Sequence, residues 1–257
     1  MTPPAPPLLA VAHGTRDPSG TATTEALLNL VRELRPELRV LLGYVDVAHP
    51  GLGDVLAGLS GDLVLVPLLL GTGFHIRVDI PAALAEAPQV NARVAAALGP
   101  DPLLAHALAD RLAQARTPAS GPVVLASAGS SDPRSQQDTA TMATLLTRHL
   151  GRPTVPSYLC GGSPTPAEAV AALRAEGHRD ITVSSYLMTP GFFARKAAAA
   201  AAPGPLPGTE GTEGPESQVS VKSAASAPLG AHEAVARLIL ARYDAARTGA
   251  DRSPVLR

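Results

Sequence analysis

Only one cysteine, Cys160, occurs in the 257 residues. That excludes an intramolecular disulfide, a cysteine-rich zinc site and an iron–sulfur cluster held by the chain itself, and it suits a reducing cytosol. Aromatic residues are nearly as scarce. With no Trp, four Tyr and three Phe, the interior of a chain that is 46% hydrophobic has to be built from Ala, Val and Leu. Neither sign of charge is in excess: 21 Lys and Arg stand against 22 Asp and Glu, a net charge of -1. There is thus no electrostatic footprint for nucleic acid or for an anionic membrane surface. Long hydrophobic runs are missing too. The opening Met1 to Pro7 has no basic segment, and Leu8 to Ala12 is too short for a signal peptide or a bilayer span, so a cytoplasmic protein is expected. Pro and Gly are plentiful, 26 and 23, yet below the share that marks a low-complexity chain. A core is therefore expected, in one large domain or two of ordinary size.

Apolar runs alternate with helical periodicity along the chain. Leu8 to Ala12 reads as a strand, the cluster from Gly14 to Gly20 as a loop, and Thr21 to Arg35 as a helix. Arg39 to Val45, Asp62 to Leu70 and Arg93 to Leu98 read as further strands. They are separated by helices over Leu52 to Leu59 and Ile80 to Ala87 and followed by one over Pro102 to Ala115. Strands that are apolar throughout, alternating with helices, belong to a parallel sheet covered on both faces, the doubly wound α/β class.

The order restarts after a Pro/Ser/Gly-rich linker at 117–122, which gives halves at 1–118 and 119–257. Ala10 to Pro18 answers to Leu125 to Pro133, Tyr44-Val45-Asp46 to Tyr158-Leu159-Cys160, and Leu68 to His75 to Tyr186 to Phe193. A fourth match sets Leu103 to His106 against Leu229 to His232. Four matches in order indicate an internal duplication, and the copies differ where chemistry would sit. His13, Asp46 and His75 of the first half face Ala128, Cys160 and Phe193 of the second. The three follow three successive strands at their carboxyl ends, where parallel sheets bind ligands. Two imidazoles and a carboxylate converging there can hold a divalent transition metal or act as bases.

The remaining candidates have plainer readings. His49, His106, His149, His178 and His232 are taken as structural residues without chemical partners. Asp46 is read equally well as capping a helix that begins near Pro50, Asp79 as the N-cap of the helix from Ile80, and Cys160 as a small buried hydrophobe. Ala197 to Ala202 with 203–217 reads as a low-complexity flexible loop, Gln218 to Ser223 as the last strand, His232 to Ala246 as the last helix, and Thr248 to Arg257 as a frayed tail.

The segments His13-Gly14-Thr15-Arg16-Asp17-Pro18 and Pro67-Leu68-Leu69-Leu70-Gly71-Thr72-Gly73-Phe74-His75-Ile76-Arg77-Val78-Asp79-Ile80-Pro81 resemble the sirohydrochlorin chelatases, class II enzymes whose long members have two tandem α/β halves around one cleft. The resemblance covers the whole chain. It implies insertion of Fe²⁺ or Co²⁺ into sirohydrochlorin on the way to siroheme or cobalamin, with the metal as substrate and no permanently bound cofactor. It places the catalytic and metal-binding histidines at His13 and His75, and the family's acidic position at Asp46, where Glu is common. No His-rich tract or cysteine cluster is present, so neither metal storage nor an iron–sulfur cluster is expected.

A tetrapyrrole rich in carboxylates calls for cationic and hydroxyl donors at the cleft edge, and Thr15, Arg16 and Arg77 are the candidates. Phe193, with Phe192, Tyr186 and Met188, is expected to wall the macrocycle from the second half. The rival readings are a noncatalytic binding protein for tetrapyrrole, metal or solute, and a histidine phosphatase. The last would require Arg immediately before His13, where Ala12 stands.

Overall fold

In the computed structural model, which describes residues 5–201 and 223–249, Leu8–Ala12 (β1), Val40–Tyr44 (β2), Gly61–Pro67 (β3) and Val90–Val94 (β4) form a parallel sheet ordered β2-β1-β3-β4. Val123–Ser127 (β5), Thr154–Tyr158 (β6), Ile181–Tyr186 (β7) and Ser223–Ala225 (β8) repeat it as β6-β5-β7-β8. The fold is α/β with two four-stranded parallel sheets. β1 and β5 are buried on both faces, as central strands of a covered sheet must be. Leu8, Ala10 and Ala12 face a core shared by both halves, while Leu9 and Val11 face an outer core.

Helices Pro18–Leu34 (α1), Leu52–Ala57 (α2), Ile80–Ala85 (α3) and Pro102–Gln114 (α4) belong to the first half. Pro133–Leu150 (α5), Pro166–Ala175 (α6), Phe192–Ala200 (α7) and Glu233–Thr248 (α8) belong to the second. α1 and α5 begin alike: Asp17 and Asp132 accept from backbone N–H groups of Ser19 and Arg134, and proline follows where its missing N–H costs nothing. The tract taken as a loop from Ala197 starts as the last turn of α7, a run of alanines with high helix propensity. Positions 202–222 and 250–257 lie outside the described residues. No helix among the described residues is long and apolar enough to cross a membrane.

The last helix of each half lies on the other half's sheet. α4 packs on β7, and α8 packs on β3 and β4. The exchange is reciprocal in detail: Arg111 of α4 donates to the carbonyl of Leu229 (2.6 Å), and Arg242 of α8 donates to those of Ala97 (2.9 Å) and Leu98 (3.1 Å). The shared core therefore contains residues of both halves.

Further expectations change. The fourth strand lies at Val90–Val94 rather than Arg93 to Leu98; Ala95 and Leu98 are apolar because they are buried under the helices, not because they pair in a strand. The match of His106 with His232 also fails. Asp101 caps α4 and His232 caps α8, so these two are equivalent, and Arg242 faces Asp101 where Arg111 faces His232.

His232, His106 and His149 are also not isolated. The His106 ring lies 5.7 Å from that of His149 and 6.1 Å from that of His232, and Asp110 stands 3.1 Å from His232 Nε2 and 3.4 Å from His106 Nε2. His232 Nδ1 accepts from the N–H of Ala234 (3.1 Å), so its neutral form carries the proton on Nε2, toward Asp110. Burial, and then the charge of Arg111, push the His232 pKa below its ordinary value. The unfolded chain takes up a proton that the folded one resists, so this stabilisation is full above about pH 6.5 and is lost as pH falls through the folded pKa. The melting temperature should therefore fall on acidification, and less steeply in His232→Asn, which keeps a capping oxygen. Parallel slopes for the two proteins between about pH 7 and pH 5 would contradict this.

Candidate active site at the carboxyl ends of β1 and β3

In a sheet ordered β2-β1-β3-β4, the chain leaves β1 toward one edge and returns on its other side through β3. The loops after β1 and β3 diverge, which opens a crevice at the switch point. His13 follows β1, and His75 lies beyond β3. Their rings meet edge to face with centroids 4.6 Å apart. Each ring has Nδ1 turned to the protein, His13 toward its neighbour's carbonyl at Gly14 (3.2 Å) and His75 toward Asp79 Oδ2 (2.5 Å). The Nε2 atoms remain as the nitrogens available to a ligand.

His75 opens a single π-helical turn, His75–Asp79, in which the N–H of Ile80 reaches back to the His75 carbonyl. Such turns distort a helix locally and recur at functional sites. Asp79 is consequently not a helix cap. It has helical dihedrals and makes no capping hydrogen bond, and its carboxylate orients His75 instead. The spacing of four residues between His75 and Asp79 was the available signal. The loop is fixed from across the molecule. The buried hydroxyl of Tyr186 donates to the Leu70 carbonyl (2.8 Å), Thr72 N–H donates to Asp138 (2.6 Å), and Arg77 pairs with Asp132 (2.7 Å). Burial raises the Tyr186 pKa far above its ordinary value, so the hydroxyl stays a donor.

Asp46 stands near the pair through its backbone. Its N–H donates to the His13 carbonyl (2.9 Å), while its exposed carboxylate accepts from the N–H of Val47 (2.8 Å). Among the described residues no hydrogen bond or ion pair joins that carboxylate to either ring, and it does not cap α2, whose N-cap is Gly51. Cys160, at the equivalent place after β6, is exposed rather than buried, because it too lies in a loop beyond a strand end. Gly14 has φ +99°, and a Cβ there would sit 2.0 Å from the Asp46 carbonyl oxygen. Gly14→Ala should therefore lower the melting temperature by about 5–10 °C. A thermal melt that is unchanged would contradict this packing.

The substrate-binding candidates are divided. The Thr15 hydroxyl accepts from the N–H of Asp17 (3.0 Å), Arg16 is exposed on the same loop, and Arg77 is held by Asp132. Phe193 packs against the outer core of the second half, whereas Phe192 is the exposed ring. Tyr186 lies in the shared core, and Met188 packs against it. Tyr186 does not line an open wall, because it is buried where the exchanged α4 covers β7, whereas Met188 beyond the strand is half-buried. His75, Asp79 and Arg77 correspond to Phe193, Ala197 and Arg195, so the second half lacks the carboxylate as well as the imidazole. Among the described residues no three of His, Cys, Asp and Glu are grouped closely enough to hold a metal ion. A cavity lined by Arg35, Leu38, Tyr243 and Asp244 lies at the opposite, amino end of the first sheet and holds none of these residues.

Two four-stranded parallel sheets, one in each half, are the architecture of a two-halved class II chelatase fold. The sequence matches the CbiX family over residues 7–115 and again over 122–246, and the chain belongs to that family. It is 28% identical over 81 residues to the sirohydrochlorin cobaltochelatase of Methanosarcina barkeri, a match that covers 30% of this chain and 62% of that protein. It is 24% identical to the sirohydrochlorin ferrochelatase of Priestia megaterium over 72% of this chain and 73% of that one. The structure of SirB from Bacillus subtilis with Fe³⁺ superposes with a TM-score of 0.71 at 21% identity, over 97% of this chain and 98% of that one, which shows a common fold.

Proposed function

We propose that the protein inserts a divalent metal, Fe²⁺ or Co²⁺, into sirohydrochlorin, and so serves siroheme or cobalamin formation in the cytoplasm. The observation that carries this reading is the edge-to-face pair of His13 and His75 at the β1/β3 switch point, with both Nδ1 atoms engaged by the protein. Two imidazole nitrogens make a site with few protein ligands, which suits an ion that must leave for the macrocycle.

On this reading Nε2 of each histidine holds the incoming ion. As bonds to the macrocycle nitrogens form and those to imidazole break, the freed imidazoles accept the two pyrrole protons. Asp79 keeps the His75 Nδ1 protonated, which presents the Nε2 lone pair and offsets positive charge. Asp46 adds a negative charge at the mouth that favours the approach of a dication. Thr15, Arg16 and Arg77 meet the substrate's carboxylates. Phe193 supports Phe192 from behind, their rings 5.5 Å apart. The relatives named for both cobalt and iron support either ion.

The test is to mix the protein anaerobically with metal-free sirohydrochlorin and each ion and to follow absorbance. Conversion much faster than in protein-free controls is expected with at least one ion. Binding of the tetrapyrrole without conversion would make the protein a carrier instead.

A further inference from the structure

All three phenylalanines of the chain lie in two equivalent segments, Gly73-Phe74-His75-Ile76-Arg77 and Gly191-Phe192-Phe193-Ala194-Arg195. The first Phe of each is exposed, Phe74 at 59% and Phe192 at 69%, in a protein that otherwise buries most of its large apolar side chains. The Arg three residues later reaches across to the opposite half. Arg77 binds Asp132 (2.7 Å), Arg195 binds Asp17 (2.9 Å), and these two aspartates are themselves the equivalent caps of α5 and α1. The molecule thus repeats a Gly-Phe-x-x-Arg element about an approximate twofold axis. The Phe74 ring lies 6.3 Å from that of His75, which brings one copy of the element to the histidine pair.

The duplication separates two kinds of residue. His13, His75 and Asp79 survive in one half only, whereas the exposed Phe and the cross-cleft Arg survive in both. A residue needed once at a reacting centre can be lost from the second copy. One that meets a ligand from both sides cannot. An exposed aromatic ring three residues from a guanidinium that reaches between the halves fits a flat apolar ring that carries anionic groups on its periphery.

We propose that the two Gly-Phe-x-x-Arg elements bind the macrocycle from both halves, with Phe74 and Phe192 against its flat surface and Arg77 and Arg195 on its peripheral carboxylates. The assignment rests on the chelatase reading and adds Phe74 and Arg195 to the substrate site. Asp17 and Asp132 hold the guanidiniums in place until substrate carboxylates share or replace them.

The test is the affinity of the full chain for metal-free sirohydrochlorin, measured by absorbance titration beside Co²⁺ affinity and thermal stability. Phe192→Ala should weaken tetrapyrrole binding about fivefold or more, the scale of one aromatic face lost from a stacked ligand. Arg195→Gln should weaken it to a similar degree, and Arg195→Lys should recover part of the loss. Asp17→Asn, which still caps α1 but no longer pairs with Arg195 as an anion, should tighten it. Co²⁺ affinity should be unchanged in all four variants. Wild-type protein that binds sirohydrochlorin, together with Phe192→Ala and Arg195→Gln variants of equal affinity, would overturn this inference alone, whether or not their melting temperatures fall. Wild-type protein that does not bind sirohydrochlorin would overturn the chelatase reading and this inference with it.

Discussion

Alanine in place of His75 should lower the rate of metal insertion into sirohydrochlorin by about 100-fold or more, and alanine in place of His13 should do the same. The two rings touch, so on the proposed function each would supply half of the imidazole offered to the ion, and among the described residues no group of three His, Cys, Asp or Glu side chains is present to compensate. His13 is exposed and His75 is half-buried, so truncating either leaves little apolar surface unpacked, and the variants should fold with near-native melting temperatures. Circular dichroism and a single-turnover absorbance assay on the same preparations separate loss of chemistry from loss of structure. A variant that is folded and metallates at the wild-type rate would remove its histidine from the site.

Asp79→Ala should cost about 10- to 100-fold in Co²⁺ affinity or insertion rate, the usual effect of removing a carboxylate that orients a metal-binding histidine. Without Asp79 Oδ2 at 2.5 Å, the His75 ring loses both its tautomer preference and its fixed direction. Asp79→Asn keeps an acceptor without the charge and should recover part of the loss, which a merely structural residue would not show. Phe193→His, placed in the His75→Ala background, should restore almost nothing. The second half offers the buried methyl of Ala197 where the first has Asp79, and Ala128 where it has His13. Strong metallation by that double variant would contradict the dependence on Asp79.

The doubly wound sheets were legible because their central strands are apolar on both faces, and that pattern survives in both copies. That His13 and His75 come together was legible because both follow strand ends and both are lost from the second copy. Asp79 was not, because Asp before Ile-Pro also has the form of a helix start, and only the π turn beginning at His75 turns its carboxylate back to the ring. The exchange of α4 and α8 was equally hidden: an apolar helix face records that it is buried, not against which sheet. That gap also misaligned His106 with His232, whose true counterpart is the Asp101 cap. Phe193 was aligned correctly with His75, but alignment cannot tell which of two adjacent rings turns outward, and it is Phe192.

If one metal-handling centre exists and lies in the first half, cobalt should occupy that place alone. Crystals of the protein soaked with Co²⁺ and measured at the cobalt absorption edge test it most directly. One strong anomalous peak is expected, about 2.1 Å from Nε2 of both His13 and His75, the distance usual for a transition metal bound to imidazole, with no peak beside Ala128 and Phe193. A principal peak elsewhere, at Cys160 or among His106, His149 and Asp110, would contradict it.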